Sequence, residues 1–276
     1  INIHDHLDLI AGLPYEDYDS FGRSFDEIYE LKPNQLQLGF LKVLKGSYMF
    51  EHAAEYGIVY HDKPPYEVMS TKWLSFDDVI KIKRVEEMLE VYYNSGQFEI
   101  TMKLMECIFD SAFEFFQELG DFYEANGYFG MSHSRIRRCE ILLEFLALYL
   151  HGCDSDDMAS VGLSGNAGDR DNTDFDENAQ IYKMIQESLI FDLYYRENCK
   201  SRPVWATDIG SFKHMTHAYC KNGKLSHVEP FHYIFPDKHT RKLDELPKYH
   251  KEPVWALFHY DMRDPLDHQA LVEYIK

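Results

Sequence analysis

The sequence predicts an α+β chain in three parts: the edge of a βα barrel, a mainly helical domain, and a small terminal β-sheet. Three observations predict it. Between residues 7 and 47 a strand, a helix and a second strand follow one another. From Ser75 to about Asn198, four segments repeat apolar residues at helical spacing. After Pro203 the pattern changes to short apolar runs around an Asn-Gly turn. The expected divisions are 1–60, 61–202 and 203–276.

The first strand is Leu7-Asp-Leu-Ile-Ala-Gly-Leu13, followed by Pro14. An acidic helical segment, Glu16 to Leu31, is broken by Lys32-Pro33-Asn34. The second strand, within Gln35–Leu44, ends at Lys45-Gly46-Ser47. Such a βαβ unit needs a parallel sheet, and parallel sheets are covered on both faces. Two strands cannot supply that sheet. Only six residues precede the first strand and the chain opens on Ile1, so it is expected to be the carboxy-terminal part of a longer protein.

Strand alternation puts Asp8, Ile10 and Gly12 on one face and Leu7, Leu9 and Ala11 on the other. A carboxylate inside an apolar run needs a partner or a ligand if it is buried. In βα barrels the chemistry sits at the carboxy-terminal ends of the strands, here Gly12-Leu13-Pro14 and Lys42–Gly46. Gly12 would let a ligand approach the backbone. The competing reading pairs Asp8 with a cation or uses it to cap a loop.

The connector Val59–Trp73 carries Pro64-Pro65 and several apolar side chains, which predicts a stiff, extended segment that packs down. Ser75 is a plausible N-cap with Asp78 three residues on, ahead of an apolar face from Val79 to Tyr92. The next helix is expected to be long, from Leu104 through Phe116 to a break at Gly120. Helices over about His133–Leu150 and Asn178–Asn198 complete a bundle. Between these two, Gly152–Glu177 is rich in Asp, Ser, Gly and Asn. A calcium loop fails there, because the glycine it needs at its sixth position is Asp174. In the tail, Phe212–Tyr219 and Leu225–Tyr233 read as a hairpin around Asn222-Gly223, Val254–Tyr260 as a further strand, and Pro265–Lys276 as a short helix. His214, His217 and Cys220 do not converge on such a hairpin.

Composition excludes some partners. The net charge is −19, which argues against nucleic acid and against an anionic membrane surface. No run approaches a membrane span and no signal peptide is visible. Five cysteines at no ligand spacing suit a reducing cytoplasm and assign no metal site. The one basic cluster, His133-Ser-Arg135-Ile-Arg137-Arg138, is either a solvated helix start or a clamp for a substrate carboxylate.

Leu7–Pro14, the following helix, and Gln37-Leu-Gly-Phe-Leu41 with Lys45-Gly46-Ser47 resemble the last two βα units of radical S-adenosylmethionine enzymes. The nearest branch is that of oxygen-independent coproporphyrinogen oxidase and the cobalamin-binding members. Glu51–Gly57 and Pro64–Leu74 resemble the start of a carboxy-terminal domain of unknown function often fused to those barrels. The resemblance implies a partial TIM-type radical-SAM barrel. The Asp8 position would lie at the polar part of S-adenosylmethionine. The backbone at Ile10, and at Leu41 and Lys42, would lie at the adenine, beside Gly12. It further implies a 4Fe–4S cluster held by an upstream Cys-x3-Cys-x2-Cys loop that this chain lacks. The cobalamin domain, in members that have one, also lies upstream. On this reading the helical domain caps the barrel mouth over a small-molecule substrate, with Arg135, Arg137 and Arg138 near it, and the upstream barrel half is its partner. No residue is assigned a catalytic role. The alternative is an acidic helical interaction module without catalysis.

Overall fold

The computed structural model describes residues 5–151, 174–199, 201–207, 209–210, 218–220, 225–236, 240, 242–265 and 267–275. In chain order the elements are β1 (His6–Ala11), α1 (Tyr18–Tyr29), β2 (Gln35–Phe40), α2 (Tyr48–Glu51), β3 (Val59–Tyr60), β4 (Val68–Ser70) and α3 (Phe76–Leu89). Then come α4 (Glu99–Ile108), α5 (Ala112–Ala125), α6 (Arg135–His151), α7 (Asp174–Arg196), β5 (Ser226–Phe231), β6 (Val254–His259) and β7 (Leu271–Ile275). The fold is α+β, and among the described residues its sheets are small and none closes into a barrel. Two compact units form: residues 1–96 with 105–130, and residues 97–104 with 131–276. Helices α3 and α5 belong to the first and α6 and α7 to the second.

In the first unit β1 and β2 pair in parallel, with His6 opposite Gln35 and Ala11 opposite Phe40. Helix α1 is the crossover. Asp17 caps it, its side chain accepting from the Ser20 amide while Ser20 reaches back to Asp17. Phe21, Phe25 and Tyr29 are buried on one side of α1, as are Leu36, Leu38 and Phe40 on one face of β2. Helix α5 packs close to α1 because Gly22 has no Cβ: one built there would lie 2.8 Å from Phe113 Cδ1. Asp26 of α1 also holds the start of α5, accepting from Ser111 Oγ at 2.7 Å and the Phe113 amide at 2.9 Å. One side chain caps the outer edge of β2 at Leu36. The Leu36 amide donates to Asn94 Oδ1, and Asn94 Nδ2 donates to the Leu36 carbonyl.

Three expectations change here. The apolar run through Phe116 is two helices, because Ser111 starts a new one and caps it at the Glu114 amide. Gly120 does not end α5 but lies inside it, where a Cβ would meet Arg84 at 3.0 Å. The connector over 59–73 does not run extended but returns as the antiparallel pair β3–β4, with a cis Pro64–Pro65 peptide. Ser75 and Asp78 do form the expected capping box on α3.

The second unit is built on α7. Phe191 meets the rings of Phe231 and Phe258 from the antiparallel sheet β5–β6–β7, at 5.7 and 5.3 Å, and that of Phe235, beyond the end of β5, at 5.3 Å. Strand β5 pairs antiparallel with β6, and the other half of the expected hairpin, Phe212–Tyr219, falls largely outside the described residues. Residues 211–217 and 221–224, including His214 and His217, lie outside the described residues, as do 152–173 of the acidic loop. The tail ends in strand β7, not a helix. Its Leu-Val-Glu-Tyr-Ile sequence alternates and pairs along the free edge of β6.

Candidate functional site

The candidate site is the uncovered face of β1–β2. Side chains of residues paired in a parallel ladder point the same way. Leu7, Leu9 and Ala11 therefore share the core side with Leu36, Leu38 and Phe40, while His6, Asp8 and Ile10 share the other with Gln35, Gln37 and Gly39. Ile10 is 44 % exposed. The Asp8 side chain is 67 % exposed, with His6 Nε2 3.3 Å from its carboxylate. With this face uncovered among the described residues, Asp8 stays hydrated in this chain, so no burial cost falls on its carboxylate here.

The edge of β1 is also bare among the described residues. Its odd-numbered carbonyls turn to β2, with Asp5 accepting from Gln35 and Ala11 from Leu41. Alternation directs the amides and carbonyls of His6, Asp8 and Ile10 to the opposite edge.

At the carboxy-terminal end the chain covers itself. Gly12 has φ +87°, and a Cβ there would lie 2.6 Å from Val68 Cγ1. The close approach that glycine permits is made by Val68 of β4. The Leu41 amide donates to the Ala11 carbonyl, and the Leu41 carbonyl accepts from the Val68 amide, each at 2.9 Å. Lys42 is exposed and bridges to Glu67 across the same crossing.

The three arginines sit at the start of α6, in the second unit. Arg135 Nη2 donates to the carbonyls of Gln97, at 3.0 Å, and Asp192. Arg137 Nη1 bonds Glu144 at 2.6 Å and Glu140 at 3.3 Å. The Arg138 amide continues the helix to the Ser134 carbonyl. The guanidinium groups of Arg135 and Arg137 therefore tie this unit together.

Two buried charged clusters were not read from the sequence. Asp192 is 2 % exposed and accepts from the amides of Ile100 and Thr101 and from Thr101 Oγ1, at 3.0, 2.9 and 2.7 Å. Burial pushes its pKa up to about 6, against the lowering effect of those bonds. Glu229 is enclosed in β5, bonded by Arg202 and by His227 Nε2 at 2.7 Å, and His227 stacks on Tyr194 at 3.7 Å. Burial raises the Tyr194 hydroxyl to about 12. An acid inside His227-Val-Glu-Pro-Phe231 was the available signal, the same one that singled out Asp8. Asp192 gave none, since its partners lie about ninety residues away.

Among the described residues no group of His, Cys, Asp and Glu is arranged to hold a metal, and no helix is long and apolar enough to cross a membrane. No curated protein matches the chain. A family model described as a protein of unknown function, DUF4080, matches residues 54–270, which begins after β1–β2 and takes in more than half of the sequence; the chain belongs to that family.

Proposed function

We propose that the chain is the carboxy-terminal part of a radical S-adenosylmethionine enzyme, with β1 and β2 as the last strands of its partial TIM-type barrel. The observation that carries this is that, among the described residues, one face and one edge of a parallel strand pair are bare. Parallel strands are stable when covered on both faces, and this pair is covered on one. A further parallel strand would pair along β1 and turn Asp8 and Ile10 toward a barrel interior.

The residues present fit S-adenosylmethionine in part. Asp8 is a hydrated carboxylate able to accept from an ammonium or hydroxyl group. Ile10 offers an apolar side chain and an edge-facing backbone for a flat base. Leu41 fits less well, since its amide and carbonyl are already bonded within the chain, and Lys42 could meet a ligand through its exposed side chain. S-adenosylmethionine, reductively cleaved by one electron from the upstream cluster with methionine as the leaving group, would supply a deoxyadenosyl radical for hydrogen abstraction from substrate. The part of this chain is to bind and orient. The domain beyond residue 54 would help choose a small-molecule substrate, and the protein would work in the reducing cytoplasm. The cluster, and cobalamin where used, would be held by other segments. Arg135 and Arg137 already have partners, so a carboxylate clamp there would require them to exchange carbonyls and carboxylates of the chain for the substrate.

The test uses the protein encoded by the complete reading frame, with its cluster reconstituted. The frame should contain Cys-x3-Cys-x2-Cys upstream of Ile1. Asp8→Ala should weaken S-adenosylmethionine binding by roughly tenfold or more, the usual loss for a hydrogen bond to a charged group. Unchanged affinity removes Asp8 from the site, and a frame without the cysteines overturns the whole reading. The net charge of −19 favours one other function, a binding module for a basic partner, which that second outcome would support.

A further inference from the structure

The second unit contains a cavity of about 580 Å³ between α7, the edge strand β7 and the loops around Phe235 and Arg263. It is separate from the β1–β2 face and from the reading proposed for it. Its size is that of a small-molecule site, and four of its lining residues, Phe191, Tyr195, Phe235 and Tyr274, are aromatic. Phe191 and Tyr195 stand one turn apart on α7, 5.3 Å from each other, and Phe235 lies 5.3 Å from Phe191. The Phe235 wall is fixed by Tyr274, whose hydroxyl accepts from the Phe235 amide at 2.9 Å and donates to its carbonyl. These walls are therefore formed before any ligand arrives, which lowers the entropy lost on binding.

Two polar groups in the lining are incompletely used. Arg263 is held rigidly: Nη1 donates to the carbonyls of Arg196 and His268, and the guanidinium lies over Tyr260 at 4.9 Å. Among the described residues Arg263 forms no ion pair, and its Nε–H and Nη2–H donors have no protein acceptor. Gln269, 4 % exposed, donates through Nε2 to Glu99, while its Oε1 has no donor among the described residues. A fixed guanidinium with a free fork is the group that binds a carboxylate in two parallel hydrogen bonds.

We infer that this cavity binds a planar aromatic carboxylate, with the ring packed against the wall of Phe191, Tyr195 and Phe235 and the carboxylate on Arg263. A hydroxyl or amino group on the ring could in addition donate to Gln269 Oε1. The rings set the shape, and Arg263 supplies the cation of a lining that also holds Asp264, whose amide donates to the Gln269 carbonyl and whose carbonyl accepts from the His268 amide.

The test is calorimetric titration of the whole chain with 2-naphthoate, beside its saturated decahydro analogue and neutral 2-naphthamide. One-to-one saturable binding of 2-naphthoate with a dissociation constant of about 1 mM or tighter is expected from its atom count. Both analogues should bind at least about tenfold more weakly. Arg263→Gln should cost 2-naphthoate about tenfold or more. Val272→Phe fills the cavity without touching the arginine and should abolish saturation, which keeps the test sharp if Arg263→Gln does not fold. No saturable binding, equal binding of the decahydro analogue or the amide, or undiminished binding to a folded variant of either kind would each overturn the inference.

Discussion

Replacing Asp192 with asparagine should flatten part of the dependence of stability on pH. The carboxylate is enclosed, and its folded pKa is about 6 against an ordinary value of 3.8. Burial is the larger cause, and the bonds from Ile100 and Thr101 offset only part of it. The raised value means that the folded state holds the proton more tightly than the unfolded chain. Its contribution is therefore fully present below about pH 4 and is lost as pH rises through about 6. The distance from 3.8 to about 6, at about 1.4 kcal/mol for each step of one in pH, comes to about 3 kcal/mol. That is a large part of the 5–15 kcal/mol typical of a folded protein. Urea unfolding followed by circular dichroism at pH 4, 5, 6 and 7 reads it, for wild type and Asp192→Asn. Glu16, Glu86 and Glu118, which burial also raises, add the same sign to both proteins and cancel in the difference. Relative to the variant, wild type should lose about 3 kcal/mol between pH 4 and 7, a midpoint change of about 1–3 M. Parallel curves across that range would refute the assignment. Asp192→Ala adds a second reading, because it leaves the Ile100 and Thr101 donors unsatisfied in the interior. A loss of about 3–5 kcal/mol at pH 7 is expected.

Gly12→Ala should destabilise by about 2–4 kcal/mol, because a Cβ there meets Val68 and the backbone stands at φ +87°; Val68→Ala should recover only the steric part, measured by double-mutant cycle. Gly22→Ala should cost about 1–3 kcal/mol through its clash with Phe113, and Phe113→Leu should lessen that increment, since Gly22 carries no positive φ. Ser75→Ala should cost about 1 kcal/mol by removing the cap that the Asp78 amide uses; a thermal midpoint unchanged within error would count against the capping box as a stabilising feature.

The sequence by itself determined the local elements: the parallel crossover unit, the caps at Ser75 and the helices α6 and α7. Each is written in nearest neighbours, either as a polar cap three residues from its partner or as an apolar repeat of fixed period. It also singled out the face of β1 that carries Asp8 and Ile10, because strand alternation needs no partner to be read. Where two apolar stretches lie end to end, periodicity runs through the join. The sequence therefore merged α4 with α5 and placed the break at Gly120 instead of Ser111. Only the tertiary structure decided that Asp8 is hydrated, that Val68 fills the space beside Gly12, and that Arg135 binds backbone carbonyls. It likewise decided that the final alternating run is a strand on the free edge of β6, and that Asp192 and Glu229 are buried with their partners. Burial and pairing depend on which distant surface covers a residue. Ile100 and Asp192, or Gln269 and Glu99, meet only when the whole chain has packed.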